Sequence, residues 1–385
     1  MYEGYELPTQ YNSSRFEEKY TLNYLSISKK NGIMSSVLCI RGSIMLKIVV
    51  DAMGGDHAPE AIVKGAIDAL AKRENFKIIF TGDESAIKRE LAKCRYSADR
   101  VEIVHCSEVI TNDDIPTSAI RSKKDSSLVV GYKLLKEDEE VGGLVSAGST
   151  GAVLSGGIML LGRLKGVMRP ALCPGIPNGR GSRTLLCDCG ANAECKPQYL
   201  AQFAVMASAY GKAAFGMENP RVGLLTNGTE DHKGDTLHQE AFALLKQIPS
   251  IDFVGNVEGR DIMYGDVDIA VSDGFSGNIA LKSVEGCGKT VSTVLKQEFK
   301  RSFGSKIAYL FARKQLNKLR EMLDYAKLGG SVFLGLKKPV VKSHGSSKAD
   351  SICPSVLQAV DAAQNNLIGT IAQMLGELNF GEDNA

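Results

Sequence analysis

Six times in this chain a short apolar run breaks into a polar loop that carries glycine: residues 51–57, 146–151, 188–192, 227–234, 272–278 and 343–347. The stretch 222–235, VGLLTNGTEDHKGD, shows the unit. Val222 to Leu225 is a strand-forming run bounded by turn residues. Asn227 to Gly234 break it, and from Asp235 onward Leu237, Ala241, Leu244 and Leu245 recur on one helical face. A buried strand therefore hands a polar loop to a helix. Repetition of that unit restricts the chain to an α/β fold, three layers deep, with a mainly parallel sheet between helices. Parallel strands point the same way, so the six loops should gather on one rim, where open α/β sheets bind ligands.

Further strands are predicted over 46–50, 76–81, 101–105, 143–146, 184–187, 253–257, 267–271 and 340–342. Helices are predicted from Pro59, over 127–137, from Pro197 to about Ala214, from about 279 to Leu328, and over 350–378. The patterned chain begins at Met45, so residues 45–385 read as one α/β domain. Residues 1–44 are polar, Tyr-rich and aperiodic, without a secretory pattern. They read as a disordered leader or as a start placed too far upstream.

Composition excludes several classes. The 385 residues are 44% hydrophobic and 23% charged, with a net charge of +2. No global field points to nucleic acid, and the absence of Trp argues against single-strand stacking platforms. The nine cysteines form no regular framework, as expected of reduced, buried thiols in the cytosol. Cys187, Cys189 and Cys195 lack the usual zinc spacing, and no metal is expected. No apolar run reaches the length of a bilayer-spanning helix.

Known signatures are also missing. No G-x-G-x-x-G follows a strand, and no G-x-S-x-G elbow is present. Residues 285–290, EGCGKT, resemble the tail of a P-loop, but Ser283 stands where its first glycine belongs and the pattern is helical. Glycine after a strand is ordinary turn chemistry. Six such loops on one rim, with His57, His232 and His344 among them, favour a phosphate or carbonyl site instead.

A second feature is a helical pair at about 290–328. Leu295, Phe299, Phe303, Ile307, Leu310 and Phe311 recur at helical spacing, with a break expected near Gly304. Over 295–327, nine Lys/Arg stand against three Asp/Glu. A basic amphipathic pair suits a membrane surface or an acidic partner, and equally suits burial in the core or a dimer interface.

Seven segments in order, VVDAMGGDHAPEAIVKGA, SAGSTGA, GRLKGVMRPAL, DCGANAECKP, RVGLLTNGTEDHKGD, VSDGFSGNIALK and VVKSHGSS, resemble the PlsX family of bacterial phosphate acyltransferases. The resemblance covers Met45 to the C-terminus. It implies a fold like phosphotransacetylases and isopropylmalate-type dehydrogenases, with the helical pair protruding. It also implies transfer of a fatty acyl group from acyl carrier protein to inorganic phosphate. The acyl phosphate would feed a membrane glycerol 3-phosphate acyltransferase in phospholipid synthesis. A cytoplasmic homodimer, peripheral at the inner membrane face and without a cofactor, is implied too. A short-chain phosphotransacetylase using coenzyme A, a decarboxylating dehydrogenase of similar fold and a non-enzymatic membrane scaffold are the alternatives.

Phosphate is a weak, hydrated nucleophile that must be held and aimed, and the tetrahedral intermediate needs donors for its oxyanion. Candidate catalytic residues are Lys233, Asn227, His232, Asp273 and Asn278, with Lys233 weighted above the histidines. Candidate phosphate or substrate contacts are Asp51, Gly54, Gly55 and Asp56; Ser149, Thr150 and Gly151; Asp188 and Asn192. Gly228, Thr229, Glu230 and Gly234 join them, as do Gly274, Ser276, Gly277, His344 and Gly345. Arg163, Lys165, Arg169 and the helical pair are candidates for docking the acidic carrier protein.

Overall fold

In the computed structural model the described residues are 45–323 and 329–378. The expected leader, 1–44, lies outside them, as do 324–328 at the end of the helical pair and 379–385. The chain opens with β1 (Leu46–Asp51), α1 (Glu60–Lys72), β2 (Phe76–Gly82), α2 (Glu84–Leu91) and β3 (Val101–His105). Next come α3 (Pro116–Ser122), α4 (Ser127–Glu137), β4 (Val141–Ser146), α5 (Thr150–Gly156), β5 (Ala171–Cys173) and β6 (Gly175–Pro177). They are followed by β7 (Arg183–Cys187), α6 (Pro197–Phe215), β8 (Arg221–Leu225), α7 (Thr236–Leu245), β9 (Asp252–Val257), α8 (Gly259–Tyr264) and β10 (Ile269–Val271). The long helices α9 (Gly274–Arg301) and α10 (Phe303–Leu323) precede β11 (Ser331–Leu334), β12 (Val340–Lys342), α11 (Ala349–Gln364) and α12 (Leu367–Gly376).

The strands form two sheets rather than one. The first runs β3-β2-β1-β4-β12-β11-β5 and the second β6-β7-β10-β8-β9. Both are parallel through their centres. Only β11, β5 and β6 bring antiparallel pairings. The break lies at Pro174, which has no N–H for a ladder. On one side of it β5 pairs with β11, on the other β6 pairs with β7.

Central strands buried on both faces explain the unbroken apolar runs: Ile48, Val49 and Val50 of β1 and Leu224 of β8 are fully buried. Helix α6 is apolar all round, with Leu200 to Gly211 buried, and it packs against α7 and α12. The segment EGCGKT lies inside α9, as its pattern predicts. Two boundaries differ from expectation. The closing helix divides at Asn366, whose left-handed backbone (φ 53°) cannot continue a helix. The 272–278 loop is short, because α9 starts at Gly274 and takes Ser276, Gly277 and Asn278 into its first turns.

Candidate active site

Three neighbouring parallel strands of the first sheet end in Asp51, Ser146 and Lys342. Asp51 is buried and accepts from Ser146 Oγ at 2.6 Å and from Met53 N at 3.3 Å. Burial pushes its carboxyl above the usual range, opposed by bonds from Ser127 and Ser146. Ser146 Oγ in turn accepts from Gly148 N at 3.0 Å. Gly54 has no room for a side chain: a Cβ there would stand 2.6 Å from Asp51 Oδ2 and 2.7 Å from Gly148 N. Asp56 N donates to Gly345 O at 2.8 Å, and a Cβ on Gly55 would meet that same carbonyl. Loops 51–57, 146–151 and 343–347 are therefore interlocked.

The second sheet supplies a matching edge. Asp188, fully buried, accepts from Leu172 N (2.8 Å), Asn192 N (2.7 Å), Asn192 Nδ2 (3.0 Å) and Ala191 N (3.3 Å). Leu172 belongs to β5 of the first sheet, so this carboxylate ties the two sheets together. Asp273 caps α9 by accepting from Phe275 N and Ser276 N, both at 2.9 Å. Gly274 N donates to Asn192 O at 2.8 Å, and a Cβ on Gly277 would stand 2.0 Å from Asp188 O. The start of α9 is thereby pressed onto the 188–192 loop.

Between these edges lies a half-open cavity of about 280 Å³. Its lining includes Thr150, Leu172, Cys189, Gly190, Asn278, Lys282, Glu285, Lys342, Ser343 and His344. Lys342 is buried, and its amine donates to the carbonyl of Ser343. Burial and then the charge of Lys282 bring its pKa down to about 8, partly offset by Asp51 and Asp56. Burial and Lys282 likewise lower His344. His344 Nδ1 accepts from Ser346 N at 3.2 Å, which assigns the proton of the neutral ring to Nε2. Lys282 pairs with the buried Glu285 at 2.9 Å. Ser343 Oγ is buried with no hydrogen-bond partner among the described residues.

Four of the six loops reach this cavity: 146–151 by Thr150, 188–192 by Cys189 and Gly190, 272–278 by Asn278, and 343–347 by Ser343 and His344. Ser149 caps α5 through Ala152 N, and Gly151 packs on Pro116. Loop 51–57 stands behind, joined through Asp56 and Gly345. Loop 227–234 supplies none of the lining. Asn227 Oδ1 closes it by accepting from Gly234 N at 3.0 Å, while Thr226 Oγ1 donates to Gly228 O. The Glu230 carbonyl accepts from Asn256 Nδ2, and the His232 carbonyl accepts from Gln239 Nε2. Lys233 Nζ stands 4.0 Å from Glu230 Oε1, and Thr229 is exposed. On the helix that follows, His238 bonds Asp235 at 2.7 Å and lies 3.8 Å from Asp273 Oδ2, the cap of α9. Burial pushes the Cys187 and Cys189 thiols up, which keeps them protonated and unreactive.

The profile of a family described as "Fatty acid synthesis protein" matches residues 46–370. A phosphate acyltransferase from Alkaliphilus oremlandii (strain OhILAs) is 44% identical over 338 residues, 88% of this chain and 99% of the relative. Another, from Clostridioides difficile (strain 630), is 42% identical over 334 residues, 87% of this chain and 97% of the relative. The chain belongs to the PlsX family of phosphate acyltransferases. It is an acyltransferase enzyme. In fold it resembles a phosphotransacetylase from Streptococcus pyogenes, with a TM-score of 0.55 at 20% identity over 84% of this chain and 96% of that one. The EutD phosphotransacetylase from Staphylococcus aureus gives 0.52 at 21% identity over 83% and 94%. Both agree with an α/β fold carrying helices on both sides of its sheets.

Sequence reasoning about this family member missed Lys342, Lys282, Glu285 and His238. A lysine closing an apolar strand, as in VVK, was the available signal for Lys342: a charge at the end of a buried run must be held by something. Of the docking candidates, Arg163 and Lys165 are exposed, Arg163 donating to Met168 O, and Arg169 stacks over Tyr199. On the helical pair Phe303, Ile307, Leu310 and Phe311 are exposed, whereas Leu295 and Phe299 are half-buried, Phe299 against Tyr309. The helix break falls at Ser302, just before Gly304. No helix among the described residues is long and apolar enough to cross a membrane.

Proposed function

We propose that the chain transfers a fatty acyl group from the thioester of acyl carrier protein to inorganic phosphate, and that the reaction takes place in the cavity between the two sheets. One observation carries this reading: Lys342, Lys282 and His344 line one half-open chamber together with Asn278 and the unpartnered hydroxyl of Ser343. Two amines, a hydroxyl and a ring N–H suit a phosphate stripped of water. The phosphate oxygen attacks the thioester carbonyl, the C–O bond forms and the C–S bond breaks. The phosphate proton ends on the departing thiol. In this reading Asn278 and His344 Nε2 would donate to the oxyanion, each such donor being worth about 3–4 kcal/mol in comparable sites.

Loop 227–234, with Lys233, Asn227 and His232, is assigned to the donor side, its link being His238 to Asp273. Arg163, Lys165 and the basic helical pair would dock the acidic carrier protein, and the exposed Phe303 and Phe311 would touch the inner membrane face. A homodimer delivering acyl phosphate to a membrane glycerol 3-phosphate acyltransferase completes the reading. Phosphate-dependent loss of the acyl carrier protein thioester, with acyl phosphate recovered, is the test. Faster turnover of short acyl-coenzyme A would replace it with a short-chain phosphotransacetylase, the activity named for the fold neighbours.

A further inference from the structure

Among the described residues Lys342 is the one buried lysine, and it forms part of the wall of the reaction chamber. Resting on the function proposed above, we propose that Lys342 is a site of covalent acylation by the acyl phosphate formed beside it. The neutral amine attacks the acyl carbon, the N–C bond forms and the C–O bond to phosphate breaks. An acyl phosphate dianion and an amine give an amide and hydrogen phosphate, the amine proton leaving with the phosphate. No oxidant or further reactant is needed.

Position supplies the first part of the argument. Acyl phosphate is an activated acyl donor, and a nucleophile held in the same 280 Å³ chamber meets it at an effective concentration that solvent lysines never reach. Protonation supplies the second. The charged groups facing Lys342 are Asp51 at the end of β1, Asp56 in the next loop and Lys282 on α9, with His344 alongside. Burial outweighs the two carboxylates and leaves the amine with a pKa of about 8. Relative to a solvent lysine that gives about 300-fold more neutral amine at pH 7. The lower basicity costs part of that gain in nucleophilicity, and a preference of roughly tenfold or more remains. Lys282, lining the same chamber, is engaged by Glu285 at 2.9 Å.

The consequence is a brake. Acylation removes a cation from the phosphate site and leaves an acyl chain in the chamber, so product that is not carried away shuts the enzyme down. The test treats the full chain with acetyl phosphate alone, without carrier protein, and maps acetyl-lysine by peptide mass spectrometry. Occupancy at Lys342 should exceed that at Lys282 and Lys233 by about tenfold or more. Added inorganic phosphate should suppress it at Lys342 and leave lysines outside the chamber, Lys233 among them, unaffected. The rate at Lys342 should level off above about pH 8, while surface lysines keep gaining. Lys342→Arg should remove the phosphate-sensitive adduct. Equal labelling of Lys342 and surface lysines, or labelling indifferent to phosphate, overturns the proposal. Thioester turnover on the same preparation separates the two ideas. Turnover with Lys342 unmodified sinks the acylation alone. Selective acylation without turnover supports the reactive lysine and sinks the proposed function.

Discussion

At the scale of single residues the proposed chemistry turns on Lys342, a buried lysine in the wall of the cavity. A lysine whose pKa falls on folding weakens the native state while it is charged, because the unfolded chain holds the proton more tightly. The penalty is complete below about pH 8 and is relieved as pH rises from there toward the solvent value of 10.5. Lys342→Met should therefore raise thermal stability at pH 7 by about 1–3 kcal/mol and flatten the rise in stability above pH 8. The same change should raise the KM for phosphate by about tenfold or more, the loss of a charge-assisted bond. In the native enzyme phosphate binding should weaken as pH passes about 8, where the ammonium is lost. Melting curves against pH and phosphate kinetics check all three. Lys233 is the counterpart on the separate loop. Lys233→Ala should cut acyl-phosphate formation sharply, with the fold intact by circular dichroism. Near-normal turnover would leave Lys342 and Lys282 as the working cations.

At the scale of elements, α9 does two jobs, and its glycines report on both. Gly277 lies where the helix presses on the Asp188 carbonyl, with 2.0 Å for any Cβ. Gly286 lies on the exposed face of the same helix, with nothing within 4 Å. Gly277→Ala should cost about 2 kcal/mol or more and lower turnover, since Asn278 and Lys282 move with the backbone. Gly286→Ala should add about 0.5–1 kcal/mol by removing helix-interior glycine and leave turnover unchanged. Chemical denaturation of the pair decides it, and equal effects would mean that the contact does not hold α9 in place. Further along, Phe303 and Ile307 are exposed where the chain turns from α9 into α10. Replacing both with Glu should release the enzyme from anionic vesicles in a sedimentation assay without slowing turnover in solution. Unchanged co-sedimentation would reassign that face.

At the scale of the whole molecule, what was legible in the sequence followed from local physics. Glycine loops after apolar runs mark strand ends whatever the partner strands are, so the four loops that line the chamber are all among those read from sequence. Pairing is not local. β5 and β6 are three residues each, too short to show a period, and nothing in strict alternation tells where one sheet ends and another begins. For the same reason loop 227–234 looked central, although its strand β8 lies outside β7 and β10 in the second sheet, and His238 on the following helix stands 3.8 Å from Asp273. Asp188 reads as a ligand because it stands in a glycine loop; its Oδ1 accepts from Leu172 N across the seam and its Oδ2 from Asn192 N within the loop. That junction is open to a direct test. Asp188→Asn keeps the shape but turns one oxygen into an N–H donor, which must then face Leu172 N or Asn192 N, themselves donors. The repulsion and the orphaned donor should cost about 3–5 kcal/mol, far more than a surface Asp→Asn change. Asp266→Asn, at an exposed pair with Arg180, is the control and should cost under about 1 kcal/mol. If the two substitutions destabilise equally in urea, the seam between the sheets is held by apolar packing across β5 and β7, and the carboxylate is left available to the substrate.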